Sequence, residues 1–285
     1  MAVDLIQAEG FALQVERLYA GLISTVDWVP QVSHLRPGIT ADTGAPGLAS
    51  ETWDPESGLG GKLLYAGQLD EEARALLVAA NIAGAASLTA SADAAGRKQA
   101  LRDGVVDFLV TSLDEALRIL KNELRKRETV AVCVALEPET VEQEMLERGV
   151  APDLARPNAA DSRGGQTLLC WRVASSPSIW LPKLDVIALD CLEDNLGAPE
   201  PALSLPKGLD SETWDSARRW LRLAPRYLGR LAQGIRVLRC SESAAANFLE
   251  RMREGVESGE IGVRVELRRS REGQSEQYSF APPTC

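Results

Sequence analysis

Hydrophobic spacing along the chain changes in blocks. From about Glu9 to Trp28 the apolar residues Phe11, Val15, Leu18 and Leu22 recur every three or four positions, which predicts an amphipathic helix whose partner face the sequence does not name. Pro30, Pro37, Pro46 and Pro55, with many glycines between them, then mark Val29 to Gly61 as a loop wrapping the surface, with His34 inside it. From Lys62 onward short apolar runs alternate with helical periods. The pattern predicts strands at Lys62–Gly67, Ala86–Ala90, Val105–Val110 and Val130–Leu136. Helices are predicted at Asp70–Ala83, Gly96–Asp103, Leu113–Arg127 and Pro138–Arg148, and the alternation runs on through Pro152–Ala155.

Strands separated by helices of this length imply right-handed βαβ units, hence a parallel sheet covered on both faces, and Thr129–Leu136 has the continuous aliphatic character of a central strand. Beyond Ala155 the alternation weakens. Thr167–Ala174 reads as another strand, Pro182 leaves Ser178–Cys191 ambiguous, and Pro199–Lys207 reads as a linker. A helix at Ser211–Leu231, a strand near Ile235–Cys240, a helix at Ser241–Val256 and a hairpin of Val263–Arg268 with Gln274–Phe280 complete the pattern. The expected fold is α/β: a doubly wound, mostly parallel Rossmann-like sheet with an extra N-terminal helix and a C-terminal α+β segment. The expected division is 1–61, 62–198 and 208–285.

Composition narrows the chemistry more than the fold. A length of 285 residues with 45% hydrophobic content is enough for a large core. Forty-one acidic residues against 31 basic ones give a formal charge of −10, which leaves no electrostatic footprint for nucleic acid. The basic positions between Arg218 and Arg239 read as a solvated helix face. One histidine excludes metal sites and acid/base pairs that need two imidazoles. The five cysteines, Cys133, Cys170, Cys191, Cys240 and Cys285, show no C-x-x-C spacing, and Cys133 in its apolar run reads as a core residue; no metal site is expected. With no stretch approaching 20 apolar residues and no basic leader, the expectation is a cytoplasmic protein that avoids membranes.

A doubly wound sheet binds ligands at the carboxyl ends of its strands, so the first strand-to-helix turn is the natural candidate site. It reads Gly67-Gln68-Leu69-Asp70-Glu71-Glu72-Ala73-Arg74, with three carboxylates at the helix start. Asp70 suits an N-cap and the two glutamates suit the positive end of the helix dipole. A pyrophosphate would meet each of them at a cost of roughly 3 kcal/mol per unit charge at about 5 Å before screening. Asp93 follows the second strand, where such units place a ribose-binding acid, although a strand-end Asp is also an ordinary turn former.

The stretch Gly61 to Asp161 resembles the NAD-binding Rossmann-like domain of the urocanase (urocanate hydratase) family. The resemblance is carried by Thr111-Ser112-Leu113-Asp114-Glu115-Ala116-Leu117, by Met145-Leu146-Glu147-Arg148-Gly149-Val150-Ala151-Pro152-Asp153, and by the strand Thr129–Ala135 between them. It implies NAD as cofactor if the family's site is retained, and a possible homodimer. It assigns cofactor contacts to Gly67, Asp93 and Asn158. It also places Leu69 to Arg74 where the family carries a glycine-rich pyrophosphate loop. The family's histidine near Asn158 and its substrate-binding module have no counterpart, so no catalytic residue is assigned. The reading is a urocanase-related domain, degenerate at its cofactor loop, non-catalytic, without cofactor, acting as a binding or interaction protein for a small molecule or protein partner that the sequence does not name. The alternative is an NAD-binding lyase or hydratase of the urocanase type with a rebuilt site.

Overall fold

The computed structural model describes residues 2–26, 58–157, 166–194, 211–228, 232, 234–271 and 274–282. Its first sheet is built by β1 (Leu63–Gln68), β2 (Ala86–Ala90), β3 (Phe108–Val110) and β4 (Ala131–Val134), all parallel, in the order β1-β2-β4-β3. Between them run α2 (Glu71–Ala83), α3 (Ala94–Arg102) and α4 (Leu113–Lys126), and α5 (Pro138–Glu147) follows β4. The helix boundaries follow from local chemistry. Asp70, Asp93 and Ser112 each accept backbone N–H groups of the helix they open, and α2 ends on Gly84, in the left-handed conformation that a glycine adopts without strain.

Two core clusters separate the faces of this sheet. α2 and Ala100 of α3 belong with Leu64, Ala66, Ala131 and Cys133. Leu113, Ala116 and Leu120 of α4 belong with Val141 and Met145 of α5 and with Leu88, Val132 and Val134. The sheet is therefore covered on both faces, as the α/β pattern predicts.

Two predicted strands are shorter than their apolar runs. Val105 and Val106 are buried, yet their N–H groups both bond to the Ala100 carbonyl and close the end of α3, so pairing starts only at Phe108. Pro152–Ala155 yields a single bridge, Leu64 to Leu154. There the Asp153 carboxylate accepts the Leu63 N–H at 2.8 Å and covers part of the edge of β1.

The second sheet is antiparallel, in the order β6-β5-β7-β8, from β5 (Thr167–Val173), β6 (Ile235–Cys240), β7 (Val265–Arg271) and β8 (Gln274–Phe280). β5 was grouped by sequence with the 62–198 segment; its hydrogen bonds go to β6 and β7. Against it pack α6 (Pro177–Asp194), which keeps Pro182 inside the helix, and α8 (Glu242–Glu257), with Trp171 of β5 meeting Phe248 of α8 at 5.0 Å between rings.

Between the two sheets lie α1 (Ala2–Val26) and α7 (Ser211–Tyr227), both packed on α2 and on β6. Tyr19 of α1 donates to the Ser216 carbonyl at 2.8 Å and packs on Trp220, whose indole N–H reaches the Val237 carbonyl at 2.5 Å. Arg219 reaches back to the Ile82 carbonyl of α2 at 2.8 Å. One continuous core thus runs from Leu64 through α2 and α1 to Leu238 and Trp171. Trp171 of β5 and Trp220 of α7 are both buried in this core. His34, Asn158, Cys285 and the Pro199–Lys207 segment lie outside the described residues.

Candidate functional site at the carboxyl edge of the parallel sheet

The order β1-β2-β4-β3 locates the reversal of winding. α2 and α3 leave β1 and β2 on one face, while α4 and α5 leave β3 and β4 on the other, so the chains diverge between β2 and β4. In open α/β sheets ligands bind in the crevice opened by such a reversal, beyond the carboxyl ends of the strands. Here it lies between Ser91–Asp93 and Ala135–Glu137. β1, with its Gly67 turn, stands one strand away from it.

The predicted residues Gly67 and Asp93 do share this edge. Thr89 donates to the Gly67 carbonyl at 2.8 Å, and the Leu69 N–H reaches the Ala90 carbonyl at 2.9 Å, which binds the two strand ends together. Gly67 has φ +73 at an irregularity in the β1–β2 register, and a Cβ placed there would meet no atom within 4 Å. Its glycine is explained by backbone conformation alone. Asp93 spends both carboxylate oxygens on the Ala95 and Gly96 N–H groups at 2.9 Å, as the N-cap of α3.

The crevice is largely satisfied by its own groups. Ser91, 2% exposed, receives the Asp93 N–H on its hydroxyl, and its carbonyl accepts Arg97 Nη1 at 2.5 Å. Glu137 occupies the N-cap position of α5 without a capping bond, followed by Pro138 at the first turn. Cys133 beneath it is buried, and desolvation pushes its thiol up to about 11, which keeps it protonated and unreactive at neutral pH. Tyr65 faces Pro138 across the other side, its Oη 3.4 Å from that carbonyl; burial first, then Glu142, holds its phenol above the ordinary range.

Whether a dinucleotide phosphate suits the first turn is decided by the start of α2. The Asp70 carboxylate already holds the Ala73 N–H at 2.7 Å, and Glu71 and Glu72 fill the first turn. Arg156 lies over them, 3.2 Å from Glu72 and 4.0 Å from Asp70. The helix end thus has an internal anion on its donor and an internal cation on its acids. A pyrophosphate fits it poorly, since it would displace the cap and compete with Glu72 for Arg156 beside a further carboxylate, Glu71. Arg156 and Arg97 were not singled out from sequence. The signal for Arg156 was the acidic turn itself, because clustered carboxylates call for a nearby cation, but nothing in the spacing says which one.

These features define a Rossmann-like α/β unit, doubly wound with its ligand crevice at the β2/β4 reversal. Residues 48–160 match the family model of the urocanase Rossmann-like domain, over nearly the same stretch as the resemblance seen from Gly61 to Asp161. The second sheet with α6, α7 and α8 lies outside the matched residues. Among the described residues no cluster of histidine, cysteine, aspartate and glutamate has the geometry to hold a metal, and no helix is long and apolar enough to cross a membrane.

Proposed function

We propose that this urocanase-related chain carries out no hydratase reaction and acts as a binding protein built on a Rossmann-like unit whose dinucleotide site has been closed by its own side chains. The observation that carries the reading is the start of α2, where Asp70 caps the helix and Arg156 neutralises Glu72. A ribose hydroxyl at Asp93 would share a carboxylate that already accepts the Ala95 and Gly96 amides. The site's remaining polar groups suit a small uncharged or cationic ligand, or a protein segment, better than a phosphate. A cytoplasmic setting agrees with four free buried thiols.

The test is to denature the purified protein and quantify released NAD, and in parallel to follow thermal unfolding with NAD at millimolar concentration and urocanate turnover by absorbance. The expected result is no stoichiometric NAD, an unchanged melting temperature and no turnover. Release of about one NAD per chain, or stabilisation approaching RT ln(1 + [L]/Kd), overturns the reading in favour of an NAD-binding lyase with a rebuilt site.

A further inference from the structure

β8 is the outer strand of the second sheet, paired to β7 in unbroken register from Val265–Phe280 to Arg271–Gln274, and no strand adjoins its other side among the described residues. Exposed edges of soluble proteins are ordinarily blunted by lysine, proline, a bulge or short length. β8 has none of these over its seven residues, Gln274-Ser275-Glu276-Gln277-Tyr278-Ser279-Phe280, and Gln274 to Gln277 are exposed. Its one charge, Glu276, is already countered within the chain, accepting the Tyr278 hydroxyl at 2.5 Å and lying 3.5 Å from Arg269.

We propose that β8 pairs with β8 of a second copy of this chain, antiparallel about a two-fold axis through Gln277, joining two four-stranded sheets into one of eight strands. The sequence of the strand is complementary to itself in this register. Gln277 faces the partner's Gln277, Glu276 faces the partner's Tyr278, Ser275 the partner's Ser279, and Gln274 the partner's Phe280. Glu276 therefore meets the same phenol chemistry across the axis that it meets within its own strand. Centring the axis on Glu276 would set like charges opposite, and any register other than the one through Gln277 leaves strand residues unpaired. An isologous contact of this kind closes at the dimer and does not propagate.

The central position gives a clean test. Within the chain Gln277 stands opposite Arg268, which Glu9 already pairs, so Gln277→Glu adds a carboxylate beside that pair while creating two opposed carboxylates at the axis. Gln277→Lys creates two opposed ammonium groups there. In sedimentation equilibrium the wild type is expected to rise with concentration from 30.8 kDa toward twice that mass. Each variant alone should stay monomeric, and an equimolar mixture of the two should associate again. Hydrogen exchange on the wild type should show amides in 274–280 slowing as concentration rises from about 1 to 200 μM. A wild type that stays monomeric at 200 μM, variants that dimerise as the wild type does, or a mixture that fails to associate each overturns the proposal. If either variant fails to fold by circular dichroism, the concentration dependence of exchange in 274–280 decides alone.

Discussion

Arg239 donates two hydrogen bonds to the Glu16 carboxylate, at 2.8 and 2.7 Å, across 223 residues of sequence. The pair joins α1 to β6, and the Glu16 side chain is only 4% exposed against 19% for Arg239. Removing one partner strands the other charge in a largely dry site, which is costlier than removing both. Glu16→Gln is expected to lower unfolding free energy by about 3 kcal/mol. Glu16→Leu combined with Arg239→Leu should lose clearly less than the sum of the two single changes. Denaturant melts of the four proteins check this as a double-mutant cycle.

Two glycines with positive φ separate conformation from contact. At Gly58, φ +56, a Cβ would stand 2.3 Å from the Ala83 carbonyl and 2.8 Å from Arg219 Cζ. At Gly67, φ +73, it would meet nothing. Gly67→Ala should therefore cost only the backbone penalty, about 1 kcal/mol, and Gly58→Ala at least about twice that. Thermal melts rank the two variants. Equal losses would show that Gly67 is held by a contact and not by its backbone.

The start of α2 makes a similar distinction between helix capping and anion binding. Asp70→Ala removes the bond to the Ala73 N–H and should cost about 1 kcal/mol, while Asp70→Ser should restore most of it. Arg156→Ala should change stability by less than about 1 kcal/mol, because the pairs it makes are exposed. Replacing Asp70, Glu71 and Glu72 together by glycine and titrating NAD then asks whether the acids exclude the dinucleotide. On the proposed function, affinity rises from undetectable only if the crevice beyond them remains competent.

How much of this was legible in the sequence depends on the range of the interaction. Helices closed by neighbouring groups, such as α2 between Asp70 and Gly84 or α8 from its Ser241 cap, were readable to within a residue or two. The partner of β5 was not. Thr167–Val173 has the apolar content of a strand in either sheet, and its pairing depends on β6 and β7, which lie 60 to 100 residues further on. The same holds at the site. Gly67 and Asp93 each follow a strand in the sequence pattern, but the strand order that puts the crevice between β2 and β4 has no local signature. Pro182 leaves its segment ambiguous in the sequence, and burial of Leu181 and Leu184 on either side accompanies a helix that continues through it.

Burial of thiols predicts the alkaline limb of stability. Desolvation pushes Cys133 and Cys191 up to about 11, and Cys170 and Cys240 up to about 12, from an ordinary 9.0. A group with a raised folded pKa contributes stability that is fully present below its unfolded value and is lost as pH rises toward the folded one. The melting temperature should therefore be insensitive to these groups up to about pH 9 and fall progressively above it. Alanine at Cys191, the thiol on α6, should flatten that fall slightly. At neutral pH a thiol-specific reagent should leave all four unmodified in the native protein and label them in denaturant; rapid native labelling would contradict their burial.

The position of α1 also has a temporal side. Synthesis delivers this helix well before its partners: the groups that satisfy it, Ser216, Trp220 and Arg239, leave the ribosome some 200 residues later. Its contacts with α2 become available early, so a nascent chain holds α1 on one flank only, with Glu16 uncompensated until β6 arrives. The helix that joins the two sheets is thus made long before the elements that enclose it. A chain that stalls before β6 exposes an acidic, half-apolar surface to whatever in the cell attends unfinished proteins.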